Sequence, residues 1–209
     1  MYAIRFCEII TTRIRYYSKF FGAILSIVFS NKKIFILLFL FFSFTFGKER
    51  YITREGFISF FSSTPLEDIK AINKQVSCVL DKSTGEFAFQ LPIKGFTFKN
   101  ALMQEHFNES YLESDIYPKS VFKGKILDWN TIQLSENPIE VFIEGELTIH
   151  GIKQKIKEPG KIWRSSKSII GESNFNVALV DYNIKVPKVV RSNIAELINV
   201  NVSVQLNPR

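Results

Sequence analysis

Residues 84–125 run TGEFAFQLPIKGFTFKNALMQEHFNESYLESDIYPKSVFKGK. In the first third, Phe87, Phe89, Leu91 and Ile93 fall on one side of an extended chain, and Glu86, Ala88 and Gln90 on the other. That two-residue period is what a half-buried antiparallel strand requires. Pro92 withholds a backbone donor, so the strand is predicted to bend or break there; Phe96 and Phe98 resume the alternation after Gly95. Asn100 is a predicted N-cap for a short helix that sets Met103, Phe107 and Tyr111 four apart on one side. Tyr117-Pro118 stops it, and Val121 to Ile126 reads as the next strand. Two β segments thus enclose a short amphipathic plug.

Outward from this stretch the chain keeps a strand-like rhythm. Gly56 to Phe61 is a predicted first strand, with either Ile58 and Phe60 or Phe57 and Phe61 facing inward. Thr64-Pro65 opens a connection with helical character over Leu66 to Ile72, and Lys74 to Leu80 is a strand. Asp81 to Gly85 is a hairpin turn in which Gly85 is free to take positive φ. Trp129-Asn130 marks a bend. From Glu140 to His150, Val141, Ile143, Leu147 and Ile149 lie on one face, and Glu140, Phe142, Glu144, Glu146, Thr148 and His150 on the other. Gly151 turns the chain into Ile152 to Trp163, where lysines separate apolar residues. The final strand sets Ile198, Val200, Val202, Val204 and Leu206 against Asn199, Asn201, Ser203 and Gln205. Many short strands without a run of long helices make the chain all-β and antiparallel. A long terminal strand left as an open edge would aggregate. About eight strands closed into a barrel remove both edges and leave room for one small ligand. Composition alone does not separate that barrel from a two-sheet sandwich.

Charge divides the 209 residues into two parts. Residues 1–47 hold six basic side chains and one acid; the rest holds 21 Lys and Arg against 19 Asp and Glu. The net charge of +7 therefore belongs mostly to the N-terminal segment, and no concentrated basic face for nucleic acid is expected. Ile34 to Phe46 is uncharged, follows Lys32-Lys33, and is shorter than the roughly 20 residues of a membrane span. Residues 1–47 are read as a hydrophobic leader helix, either a signal peptide or an uncleaved signal anchor, with residues 48–209 as the folded domain. Translation is expected to begin near Ile34 at a non-Met codon, which makes residues 1–30 superfluous. The rival, an uncleaved anchor, gains from Phe44 and Phe46, which stand where a cleavage site prefers small residues. Cys7 lies in the leader, so Cys78 is the domain's only thiol, with no internal disulfide and no metal framework; it reads as a small core residue.

Catalytic chemistry finds thin support. Glu144, Glu146 and His150 share a strand face on which carboxylates and an imidazole could converge. The same face carries Thr148 and opposes Val141 and Ile143, so it reads as a solvated outer wall. His106 stands in the plug with Glu105 and Glu109, and a two-His metal site would need residues 106 and 150 to meet. Phosphate-cradling glycine loops and nucleophile elbows do not occur in the sequence. No catalytic residue, metal or cofactor is assigned.

The chain resembles the YceI-like family of lipocalin-like, polyisoprenoid-binding envelope barrels. The resemblance rests on Thr84, Gly85 and Phe87, then Leu102 and Phe107, then Tyr117, Pro118 and Phe122. Leu147 to Gly151 is similar to the family's strand-to-turn signature, and Phe175 to Pro187 to its penultimate strand; together they span about Gly56 to Leu206. His106-Phe107-Asn108 departs from the family's Asp-Phe-Phe-Asp plug. The resemblance selects a barrel, favours Ile58 and Phe60 as the inward pair, and implies a hollow interior sheathing an isoprenoid-type lipid such as a quinone or polyprenyl compound. The implied lining is Ile58 and Phe60, Phe87, Phe89 and Leu91, Phe122 and Ile126, Val141, Ile143 and Leu147, Phe175, Val177 and Leu179, and Val200 and Val202. Phe107, Tyr111 and Tyr117 are the implied gate. On this reading the protein is a non-catalytic, periplasmic or secreted lipid carrier, monomer or homodimer, with membrane contact through an uncleaved leader. The same apolar faces also fit a filled core, the commonest fate of such residues. That alternative makes the domain an interaction module for a protein or a membrane surface.

Overall fold

Among the described residues, nine antiparallel strands form, and eight of them close on themselves. They are β1 (Arg50–Ser63), β2 (Asp68–Asp81), β3 (Glu86–Pro92), β4 (Thr97–Phe98), β5 (Lys119–Ile126), β6 (Ile139–Ile149), β7 (Ile152–Ser165), β8 (Ser168–Ala178) and β9 (Leu197–Pro208). Around the ring the order is β1-β9-β8-β7-β6-β5-β3-β2, and β2 pairs back onto β1. The two-residue β4 adds to β2 outside this ring. The computed structural model describes residues 49–209. The expected leader, its start near Ile34 and Cys7 lie outside the described residues.

Closure bends the longest strands. The β1–β2 register shifts on either side of Gly56, and the β1–β9 register shifts between Ile52 and Phe57. Such bulges raise the local twist and let a strand turn a barrel's corner. Two glycines face each other across β5 and β6, Gly124 and Gly145. A Cβ on either would come within 2.7 Å of the Phe122 ring, so their bareness gives that ring its place on the inner wall.

Periodicity holds where the sequence showed it. Ile198, Val200, Val204 and Leu206 are buried along β9, and Leu91 and Phe122 along β3 and β5. Pro92 ends β3, a 3₁₀ turn follows over Ile93–Gly95, and Phe98 returns in β4. Asn100 caps the helix α1 (Ala101–His106), its side chain accepting from the Leu102 amide, and a π turn continues it over Phe107–Tyr111.

Three expectations are corrected. Leu66 to Ile72 is not helical: Thr64 makes a tight turn with Glu67, and β2 begins at Asp68. Pairing of Ile69, Ala71 and Ile72 with β1 overrides the weak local helical preference. The penultimate strand stops at Ala178 instead of running to Pro187, because a 3₁₀ turn over Leu179–Tyr182 ends on left-handed Asn183. Finally, His150 is not on a solvated strand face. It sits in the β6–β7 turn with φ of 49° and is only 9% exposed.

Candidate binding cavity

The barrel is hollow. Its interior holds a cavity of about 520 Å³, within the roughly 300–1,000 Å³ usual for small-molecule sites. All fifteen residues expected to line the interior do so: Ile58, Phe60, Phe87, Phe89, Leu91, Phe122, Ile126, Val141, Ile143, Leu147, Phe175, Val177, Leu179, Val200 and Val202. One end is sealed. There Trp129 lies against Gly85, whose φ is +73°, and its indole Nε1 donates to the Lys82 carbonyl at 2.7 Å. Leu80, Ile126, Ile162 and Leu206 are buried above it and form the cavity's floor.

The other end is built from segments outside the ring. Phe107 is buried among Phe60, Phe96 and Phe98, with ring centroids 5.0–5.5 Å from its own. Tyr111 also lines the cavity, and burial raises its hydroxyl above the ordinary tyrosine range. Opposite them, Val186, Val190 and Ile194 line the cavity from the β8–β9 connection. Exposed Leu102 and His106 border the same space, so this end is its mouth. Asn193 Nδ2 donates to Glu67 Oε2 at 3.1 Å, and the Ala195 amide donates to Ser62 Oγ at 2.9 Å. These bonds tie the β8–β9 connection to the β1–β2 turn.

The wall between β7 and β8 is incomplete. Their pairing runs only from Ser165–Ser168 to Lys161–Glu172, next to Pro159, which has no N–H to offer a ladder. Ser173 Oγ donates to the Pro159 carbonyl where the strands part. Beyond that point Leu179–Tyr182 covers the gap, and Gln154 Nε2 donates to the Asp181 carbonyl at 2.7 Å. Glu158 shares the β7 face of Ile156, Gly160 and Ile162, and burial raises its carboxyl above the usual range. Tyr182 is pushed up to about 12, first by burial and then by the charges of Asp181 and Glu158.

Tyr117 is misplaced as a gate: it does not border the cavity. Its ring lies edge-on to His150, 4.6 Å between centroids, and against Gly151. His150 Nε2 is 2.6 Å from Glu113 Oε2, and Nδ1 is 3.2 Å from the Tyr182 carbonyl oxygen. The imidazole thus clasps the end of the plug, the β6–β7 turn and the gap-covering segment together. No signal in the sequence pointed to this role, since Glu113 and Tyr182 are 37 and 32 residues away. His106 and His150 have different surroundings, and among the described residues no group of three His, Cys, Asp or Glu could hold a metal. Cys78 faces the cavity, and burial pushes its thiol up to about 12.

The sequence profile of the YceI-like domain matches residues 55–206. A search of curated proteins finds no match. Among solved structures, the chain is similar to a polyisoprenoid binding domain from Saccharophagus degradans implicated in plant cell wall breakdown. Identity is 13% and the TM-score 0.67, over 77% of this chain and 98% of that one. It is also similar to Burkholderia cenocepacia BcnA, at 12% identity and TM-score 0.60 over 72% and 95% of the two chains. The Campylobacter jejuni YCEI protein matches at 18% identity and TM-score 0.51, over 65% and 82%.

Proposed function

The chain belongs to the YceI-like domain family, and on that premise we propose that its barrel carries or sequesters a long-chain isoprenoid-type lipid. The observation that carries this reading is the cavity: about 520 Å³, walled by Phe, Ile, Leu and Val, sealed at Trp129 and open between Leu102 and Val190. Exposing a long alkenyl chain to water costs roughly 0.8 kcal/mol per methylene-sized unit, so an apolar sheath is what such a molecule needs to cross an aqueous space. Few polar groups enter the wall, so width and depth, rather than hydrogen bonds, would select the cargo. The polyisoprenoid binding of the Saccharophagus degradans domain supports the choice of lipid class. The outer face supports a water-borne barrel, since Glu144, Glu146, Lys155 and Lys157 stand outward on β6 and β7. The site of action we propose is the cell envelope, with the protein exported by its leader, and the binding is non-catalytic.

The test is a native mass spectrum of the protein purified without detergent, followed by organic extraction and identification of what is released. A stoichiometric isoprenoid or quinone adduct is expected. A clean apo mass that persists after incubation with envelope lipids would overturn the carrier reading in favour of a barrel that acts through its surface.

A further inference from the structure

Nine large apolar side chains are exposed among the described residues, and eight of them lie at the mouth end; Phe142 is the exception. Three of the eight surround the opening itself. Leu66 is 68% exposed in the β1–β2 turn, Leu102 is 57% exposed on α1, and Val189 is 88% exposed in the β8–β9 connection. These three come from distant parts of the sequence, and the Glu67–Asn193 hydrogen bond holds the first and third on one rim. Scattered apolar residues need no explanation, but a concentration at one end of a molecule marks a contact surface.

Charge indicates what the contact is with. From Tyr182 to Ile194 the chain reads YNIKVPKVVRSNI, with three cations and no acid. Among the described residues, Lys185, Lys188 and Arg191 stand in no ion pair, although their side of the mouth is within reach of solvent. The nearby acids Glu67 and Asp68 already accept hydrogen bonds from Asn193 and Ser63, exposed Asp181 and Glu196 flank the segment at its two ends, and Glu105 stands on the plug across the mouth. Within this segment the residues sort by direction: Val186, Val190 and Ile194 line the cavity, while Val189 is fully outside it. One loop therefore presents apolar side chains to the cargo space and cations plus an exposed valine to whatever covers the mouth.

We propose that the mouth docks on the surface of a bilayer bearing anionic headgroups. Lys185, Lys188 and Arg191 lie against the headgroups, and Val189, Leu102 and Leu66 enter the interface, which sets the cavity opening at the level of the acyl chains. A cation near an anionic leaflet strengthens binding roughly fivefold, so the loop's three supply on the order of a hundredfold. The proposal rests on the carrier reading for its purpose, though not for its outcome.

Residues 48–209 suit the test, because every strand of the closed ring and the whole described core lie within that compact unit. A barrel of this kind also makes up 98% of the solved Saccharophagus degradans chain. The probe is co-sedimentation with phosphatidylcholine vesicles, with and without phosphatidylglycerol, free of any isoprenoid. Binding is expected only with phosphatidylglycerol and should weaken as salt is raised. Lys188→Glu with Arg191→Glu should lower it by at least the roughly 25-fold that two cations supply, and Val189→Ser should lower it further. None of these residues borders the cavity, so the cargo mass in the native spectrum should not change. Equal binding to both vesicle types, no binding, or indifference to the substitutions would overturn the docking surface. Vesicle binding that persists in a protein with no cargo would uphold docking and count against the carrier reading instead.

Discussion

The two ends of the barrel are built on different plans. The sealed end is made of short turns: the Asp81–Gly85 hairpin and the Trp129–Thr131 turn, joined by a hydrogen bond from Trp129 to Lys82. The open end is assembled from two long excursions, residues 99–118 and 179–196, which His150 joins by reaching Glu113 in the first and the Tyr182 carbonyl in the second. On the proposed carrier reading, stability should be concentrated at the seal and exchange at the mouth. A carrier needs both, because segments that must open are drawn from the weakly held parts of a fold.

The largest effect should follow from breaking the seal. Trp129→Ala removes an indole packed on Gly85 together with its hydrogen bond, and should lower stability by about 4 kcal/mol in urea unfolding. Cargo stoichiometry of the molecules that remain folded should be unchanged. Phe107→Ala attacks the mouth. It should cost about 3 kcal/mol, at the low end for a buried ring because the space beside it is already hollow, and it should speed lipid exchange measured by transfer between labelled donors and acceptors. An unchanged exchange rate would remove the plug from the gating account.

His150→Ala removes the imidazole that bridges the Tyr182 carbonyl and the Glu113 carboxyl group, and should cost roughly 1–3 kcal/mol. Hydrogen exchange should then rise in residues 179–184 and 107–117 while the Trp129 end stays protected. Uniform loss of protection would mean that the two ends are not separable. The smallest effect concerns Cys78. Its folded thiol titrates near 12, above its ordinary value near 9, so the unfolded chain loses the proton first. Its contribution is intact below about pH 9 and is lost as pH rises toward 12; Cys78→Ala should flatten that part of the stability profile. At neutral pH the thiol should react slowly with alkylating reagents.

How much of this was legible in the sequence follows the same division. Alternating stretches such as Phe87–Phe89–Leu91 and Ile198–Val200 carry their facing in their own period, and all fifteen expected lining residues border the cavity. The Asn100 cap, the Pro92 break and the positive φ of Gly85 are also local, and each is present. What escaped depends on partners far along the chain. Within the expected helical stretch Leu66 to Ile72, the part from Asp68 on was drawn into β2 by its pairing with β1, which no window of seven residues contains. His150 looked outward because its strand period continued to it. The turn's positive φ instead swings it onto Glu113 and Tyr182. Tyr117 follows His150 and leaves the gate. Val186, Val190 and Ile194 escaped because a 3₁₀-rich connection has no period to read.

The central claim is that the hollow takes a lipid chain lengthwise, entering at the weakly built end and stopping at the strong one. A crystal structure of the protein loaded with a polyprenyl lipid tests it most directly. The account predicts continuous density from the opening between Leu102 and Val190, past Phe122 and Val200, to the floor at Leu80 and Leu206. Lipid bound only on the outer wall, with the interior collapsed around Phe87 and Phe122, would contradict it.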